Sequence, residues 1–88
     1  MANLFTSALL EVSANPVEIL INRVALDAQV SLEVSKFSAV DELIGAIVPP
    51  TTYVENGGCA EDKTRIRVFL ADGQVASGEK IQVKLNSL

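Results

Sequence analysis

The chain has 88 residues and a formal net charge of −4, and its composition is 49% hydrophobic but only 5% aromatic. A chain of this length buries only about 60% of its extended surface, so residues 1–88 are expected to form one β-rich domain with one core. Cys59 is the only cysteine and histidine is absent, which excludes an intramolecular disulfide and a zinc site of four nitrogen or sulfur ligands. With a disulfide and a zinc site excluded, association with other chains is the remaining means by which so short a chain gains stability.

The N-terminal segment has two interpretations. The alternation between Leu10 and Ala14 favours a strand, whereas the spacing of Leu4 and Ala8 fits a helical turn. The Asn-Pro dipeptide that follows ends either element. A further alternative is that residues 1–8 form an extended arm that becomes ordered on a partner.

The longest alternation of the sequence runs from Val24 to Ser35, with aliphatic side chains at the even positions. A period of two predicts a long, half-buried strand. Upstream, Val17 to Ile21 alternate in the opposite phase, so one residue must be absorbed near Asn22 by a turn or a bulge. Because the segment contains neither glycine nor proline, we expect a bulge and one bent ribbon over residues 17–35.

The segment after Phe37 has the features of a short helix. Ser38 can cap a helix, and the adjacent carboxylates of Asp41 and Glu42 favour the positive end of its dipole. Large aliphatic side chains then recur at helical spacing until Pro49 stops the element. The predicted apolar stripe consists of Val40, Leu43, Ile44 and Ile47.

The C-terminal half predicts a loop followed by two strands. Residues 51–63 are rich in turn-forming side chains, and residues 65–70 and 80–85 alternate as in a hairpin or two neighbouring strands. The fold class expected is therefore α+β and predominantly β. It would consist of an antiparallel sheet of four or five strands that packs on the short helix or folds over into a sandwich or barrel.

The sequence shows no catalytic or metal-binding motif. The carboxylate pair at residues 41–42 is explained by a helix start, and Glu61-Asp62 by a solvated turn. A nucleophilic Cys59 would need a base or cation, and Lys63 is the only one nearby. The oxygen-rich loop at residues 55–62 does not match a calcium-binding loop. We therefore expect no enzymatic activity, no cofactor and no metal.

Charge is distributed unevenly, with −7 on residues 1–62 and +3 on residues 63–88. If the two C-terminal strands pair, their cations share one face and form a candidate interaction patch for an acidic protein surface; the alternative is that they are solvated charges. Nucleic acid is not an expected partner, because the chain is acidic and poor in aromatic residues. The candidate patch consists of Arg65, Arg67, Lys80 and Lys84.

The cellular setting is predicted from what the N-terminal half lacks. Its first cation is Arg23, so it has no basic region of a signal peptide, and the apolar run Leu43 to Val48 is too short to cross a bilayer. We expect a soluble protein, intracellular or part of a virion, that does not bind membranes.

The predicted function is that of a non-catalytic structural or interaction protein, oligomeric in its working state. It would assemble with itself or on a protein lattice, most concretely as a small capsid decoration or cement protein, whose composition it resembles. The alternative is a small regulatory module that recognises one protein partner through a sheet edge or a groove beside the helix.

Overall fold

The structure, a computed structural model, describes residues 2–24, 29–57 and 60–87. Every regular element in these ranges is a β-strand. The described residues contain no helix, and hence none with the length and apolar character needed to span a membrane. The strands are β1 (Ala2–Thr6), β2 (Leu10–Glu11), β3 (Val17–Asn22), β4 (Val30–Phe37), β5 (Leu43–Ile47), β6 (Thr51–Asn56), β7 (Lys63–Phe69) and β8 (Lys80–Ser87).

The strands form two antiparallel sheets that pack face to face. Sheet A has the order β1-β8-β4-β5, with β2 also pairing with β8, and sheet B has the order β3-β7-β6. One hydrophobic cluster joins the two sheets, so the molecule is a β-sandwich. Its buried members are Val34, Ile81, Val83 and Leu85 from sheet A, Ile66 and Val68 from sheet B, and Leu70.

The two most regular strands, β7 and β8, lie inside their sheets with neighbours on both sides. Both alternate strictly between buried aliphatic and outward polar side chains over most of their length. Each fully buried aliphatic side chain contributes about 1.5–3 kcal/mol of transfer free energy. Because all regular elements of the described residues are strands, the predominantly β character expected from the alternation is confirmed.

The helix predicted after Phe37 is wrong, because this segment is a tight turn followed by β5. The backbone N–H of Ser38 donates to the carbonyl of Glu42 (2.8 Å), and Ser38 Oγ accepts from the N–H groups of Val40 (3.3 Å) and Glu42 (3.2 Å). Asp41 has a left-handed φ of 65°. The serine thus caps a turn rather than a helix. Gly45 disfavours a helix, and the β-branched residues around it favour a strand.

The single bent ribbon predicted over residues 17–35 is also wrong. β3 belongs to sheet B and β4 to sheet A, so the chain crosses from one sheet to the other between Asn22 and Val30. The change of phase marks this crossover, since each strand turns its own aliphatic set towards the shared core. Residues 25–28 of the predicted long strand lie outside the described residues.

The predicted pairing of residues 65–70 with 80–85, as a hairpin or as two neighbouring strands, is wrong. These segments belong to β7 and β8, which lie in different sheets and contribute to the core from opposite sides. The prediction of one sheet is thereby replaced by two. Residues 51–56 of the predicted loop form β6, which pairs with β7. At the N-terminus, residues 2–6 of the segment considered as an extended arm form β1, which pairs with β8.

Two polar side chains complete the backbone ladders where strands break. Between β1 and β2, the N–H of Ser7 donates to the carbonyl of Val83 and Ser7 Oγ accepts from the N–H of Val83, both at 2.9 Å. Before β3, Asn15 Nδ2 donates to the carbonyl of Leu70 (2.8 Å) and Asn15 Oδ1 accepts from its N–H (3.0 Å). Buried peptide groups of the central strands are satisfied in this way.

We expect Ser7→Ala to lower the free energy of unfolding by about 1–3 kcal/mol, because it leaves the buried N–H of Val83 without an acceptor. Urea denaturation measures the change. The exposed Ser13 provides the matched control, and Ser13→Ala should change stability by less than about 0.5 kcal/mol. Equal effects of the two substitutions would contradict the proposed role of Ser7.

Candidate interaction surfaces

The four cations of the predicted patch lie on opposite sides of the sandwich. Arg65 and Arg67 are on the outer face of sheet B, because the alternate residues of β7 are buried in the core. Lys80 and Lys84 are on the outer face of sheet A for the same reason. The structure therefore brings them together as two pairs and not as one patch.

The arginine pair converges on one carboxylate, Glu55 of β6. Arg65 donates from Nε (3.0 Å) and from Nη2 to Glu55 Oε1, and Arg67 Nη2 lies 3.5 Å from the same oxygen. The hydrogen bond from Arg65 holds the pKa of Glu55 below its ordinary value, partial desolvation opposes this, and the charges of both arginines add to it. Much of the positive charge of this face is thus already compensated.

An aromatic and arginine cluster lies beside this ion pair on sheet B. The Arg67 guanidinium carbon is 5.2 Å from the centroid of the Tyr53 ring, and the Tyr53 and Phe69 rings meet edge to face at 5.8 Å. Within the described residues, Arg67 Nε is buried without a hydrogen-bond partner. Tyrosine and arginine are frequent in protein interfaces. The sequence did not indicate this cluster, because β6 was predicted to be part of a loop.

The lysine pair is also surrounded by acids. Lys80 Nζ donates to Asp41 Oδ1 at 2.6 Å, and this hydrogen bond raises the pKa of Lys80. Lys84 lies directly opposite Glu33 in the ladder between β8 and β4. Neither outer face therefore presents the strong positive charge that the sequence pattern predicted.

In the part of the chain that the structure describes, the most exposed large aliphatic side chains lie on and beside β5, an edge strand of sheet A. Among the described residues β5 pairs only with β4, so the backbone groups on its other side have no strand partner. The exposed fractions are 75% for Val40, 66% for Leu43, 52% for Ile44 and 87% for Val48. We call β5 together with Val40 and Val48 the apolar edge.

The apolar edge lacks the charged side chains that often prevent edge strands from pairing with other chains. Natural edge strands are usually protected by charged side chains, and residues 43–48 contain none. A bulge at Ile44 interrupts the pairing with β4 at one end only. Val40, Leu43 and Ile44 were predicted to lie on the apolar stripe of a helix. The uncharged, glycine-containing run that follows Glu42 was the signal for an edge strand.

A groove lies beside the apolar edge, where β5 leads into β6. Its volume is about 340 Å³, and its walls combine residues of β4, β5 and β6. Leu32, Ile47 and Val48 make part of it apolar, and Glu33 is at its border. Because its lining includes residues of β4, the groove lies on the paired side of β5, where it can accept one side chain of a bound partner.

The acidic residues that the sequence offered as candidates for catalysis or metal binding have other contacts in the structure. Asp41 is engaged by Lys80, and the backbone carbonyls of Glu61 and Asp62 accept hydrogen bonds from Arg23 (2.6 and 3.0 Å). In the described ranges, no three side chains of His, Cys, Asp or Glu are grouped so that they could hold a metal ion. Cys59 lies outside those ranges, so its reactivity stays a prediction.

Comparisons of the chain with protein-family models, with curated proteins and with solved structures find no match. The surfaces of the two sheets are therefore the guide to the function of the protein. The apolar edge and the aromatic and arginine cluster of sheet B are the two that have the composition of a protein interface.

We expect the stability difference between the wild-type protein and Glu55→Gln to depend on pH. Because the pKa of Glu55 is lowered in the folded protein, its contribution is present above the ordinary value of 4.5 and is lost as the pH falls through the lower folded value. Urea titrations at neutral pH and at about pH 3 measure this. In an Arg65→Met background the dependence should shrink, and a difference that is independent of pH would contradict the assignment.

Proposed function

We propose that this protein is a non-catalytic interaction protein that assembles with itself or on a larger protein lattice through the apolar edge. The observation that carries the proposal is an uncharged edge strand that, among the described residues, pairs on one side only and has large aliphatic side chains exposed along it. A second strand placed there would hydrogen-bond to the solvent-exposed peptide groups of β5 and shield part of the aliphatic surface from water.

Apolar contacts are expected to contribute more to this association than charged contacts. Full burial of one Val, Leu or Ile side chain is worth about 1.5–3 kcal/mol, whereas an exposed ion pair is worth about 0–1 kcal/mol. Arg65, Arg67 and Lys80 already have carboxylate neighbours within the chain. We therefore propose the apolar edge, rather than the cations, as the main contact for assembly.

The particular assembly that we propose is the surface of a virus capsid, where a small decoration or cement protein occurs in many copies. Composition and small size support this version of the proposal, since neither catalysis nor a cofactor is needed for such a role. The aliphatic, histidine-free sequence supplies a compact sandwich and an edge for contact.

A regulatory module that binds one protein partner is the second candidate function. The observation that favours it is the groove of about 340 Å³ beside β5, which could select one side chain of a partner strand. Stoichiometry distinguishes the two functions, because a lattice component is present in many copies and a module forms a complex of defined one-to-one composition.

Light scattering behind a sizing column tests the self-assembly. We expect an oligomer whose mass is unchanged between about 0.1 M and about 1 M salt, over which the screening length falls from ~10 Å to ~3 Å. The double substitution Val40→Ser with Leu43→Ser should shift the protein towards the monomer, because it removes two exposed aliphatic side chains from the contact.

Leu20→Ser is the matched control for this experiment. Leu20 is also a large, exposed hydrophobic residue, but it lies on β3 of the other sheet. Dissociation by salt, or equal loss of association in Leu20→Ser, would contradict a contact through the apolar edge. A monomer under all conditions would contradict assembly of the isolated protein with itself.

A further inference from the structure

We propose that the partner of the apolar edge is the same edge of a second copy, paired antiparallel about a two-fold axis at Ala46. The inference rests on the proposed function and makes it specific, since it names the occupant, the symmetry and the register. It follows from the exposure pattern of β5, from its lack of charge and from the size of contact that a dimer needs.

The exposure pattern of residues 44–48, which are the last four residues of β5 and the residue after it, is symmetric about Ala46. Ile44, Ala46 and Val48 are exposed, whereas the intervening Gly45 and Ile47 are half-buried. A two-fold axis perpendicular to the sheet keeps each side chain on its own face, so exposed positions must meet exposed positions.

An axis at Ala46 places Ile44 of each copy opposite Val48 of the other. The two large exposed side chains thus form an apolar cross-strand pair twice, while the small Ala46 side chains meet at the centre. The edge is therefore complementary to itself, as an isologous interface requires.

The charges around β5 are compatible with this pairing. The acidic turn at residues 41–42 would lie near the Pro50 end of the other copy, so like charges are kept apart. Three other edges have an acid within the strand: Glu11 in β2, Glu18 in β3 and Glu55 in β6. β1 is also uncharged, but Leu4 is the only large hydrophobic side chain that it exposes.

The size of the contact predicts a dimer of modest stability. A standard interface covers ~800 Å² on each partner, about 15% of the 5274 Å² of this protein. A five-residue strand is only about 16 Å long, so the ladder alone does not reach this area. Val40 and Leu43, next to the paired residues, must add their exposed surface. We therefore expect a dimer that dissociates on dilution, with a continuous sheet of ten strands.

Disulfide trapping tests the position of the axis. Ala46→Cys is introduced into a chain whose only cysteine is replaced by Cys59→Ser. Cα atoms of directly opposed antiparallel residues are about 4.5–5.5 Å apart, within the range of a disulfide. Mild oxidation should convert most of the protein to a covalent dimer. Ala14→Cys, at an exposed alanine far from β5 in the chain, is the control and should give little of it.

A charge exchange tests the register independently. Ile44→Lys alone and Val48→Glu alone should each weaken the dimer at least about tenfold, because an unpaired charge would be buried against an aliphatic side chain. The double variant Ile44→Lys with Val48→Glu should recover most of the affinity, since the two new charges then meet across the axis. Ile44→Lys with Leu20→Glu has the same net charge and should not recover it.

The failure of this inference can be distinguished from failure of the proposed function. An oligomer that depends on the apolar edge, but neither cross-links through residue 46 nor recovers in the double variant, overturns the two-fold pairing and leaves the proposed function standing. A protein that stays monomeric at high concentration overturns the pairing as well, and only a contact with another protein would then remain. Efficient trapping together with recovery supports the inference.

Discussion

The inward side chains of β7 and β8 form the contact on which the rest of the structure depends. Ile66 and Val68 from one sheet and Ile81, Val83 and Leu85 from the other are fully buried. With one core in a chain of 88 residues, no other cluster can replace this one. The remaining described strands pair directly or indirectly with these two, and the shared cluster is the apolar contact between the two sheets. This packing also fixes which side chains face outwards and thereby creates both candidate interaction surfaces.

The polar side chains at the strand ends are a consequence of that packing. Because β7 and β8 are buried, every peptide group along them needs a partner. Ser7 and Asn15 supply one where the neighbouring strands are interrupted. At the other end of β7, Thr64 Oγ1 accepts from the N–H of Val24 and donates to Asn56, which in turn donates to the carbonyl of Val24. The exit of the chain from sheet B is thereby fixed.

Alternation in the sequence predicted the existence of most long strands but not their partners. The patterns around Ile66 and Val83 identified the right strands, because a buried face leaves a period of two wherever the strand lies. Their assignment to one hairpin failed, since pairing is decided by nonlocal packing. The helix predicted from Leu43 and Ile44 failed for another reason. A helical spacing of aliphatic residues also fits a strand with a bulge, and only the structure shows that these side chains are exposed.

Nuclear Overhauser contacts between backbone protons of adjacent strands test the central claim most directly. For the sandwich we expect ladder contacts between β8 and β4, such as Leu32 with Leu85, and between β7 and β3, such as Ile19 with Ile66. Between β7 and β8 it predicts contacts of side chains only. A backbone ladder joining β7 to β8 would contradict the sandwich and, with it, the placement of β5 at an open edge.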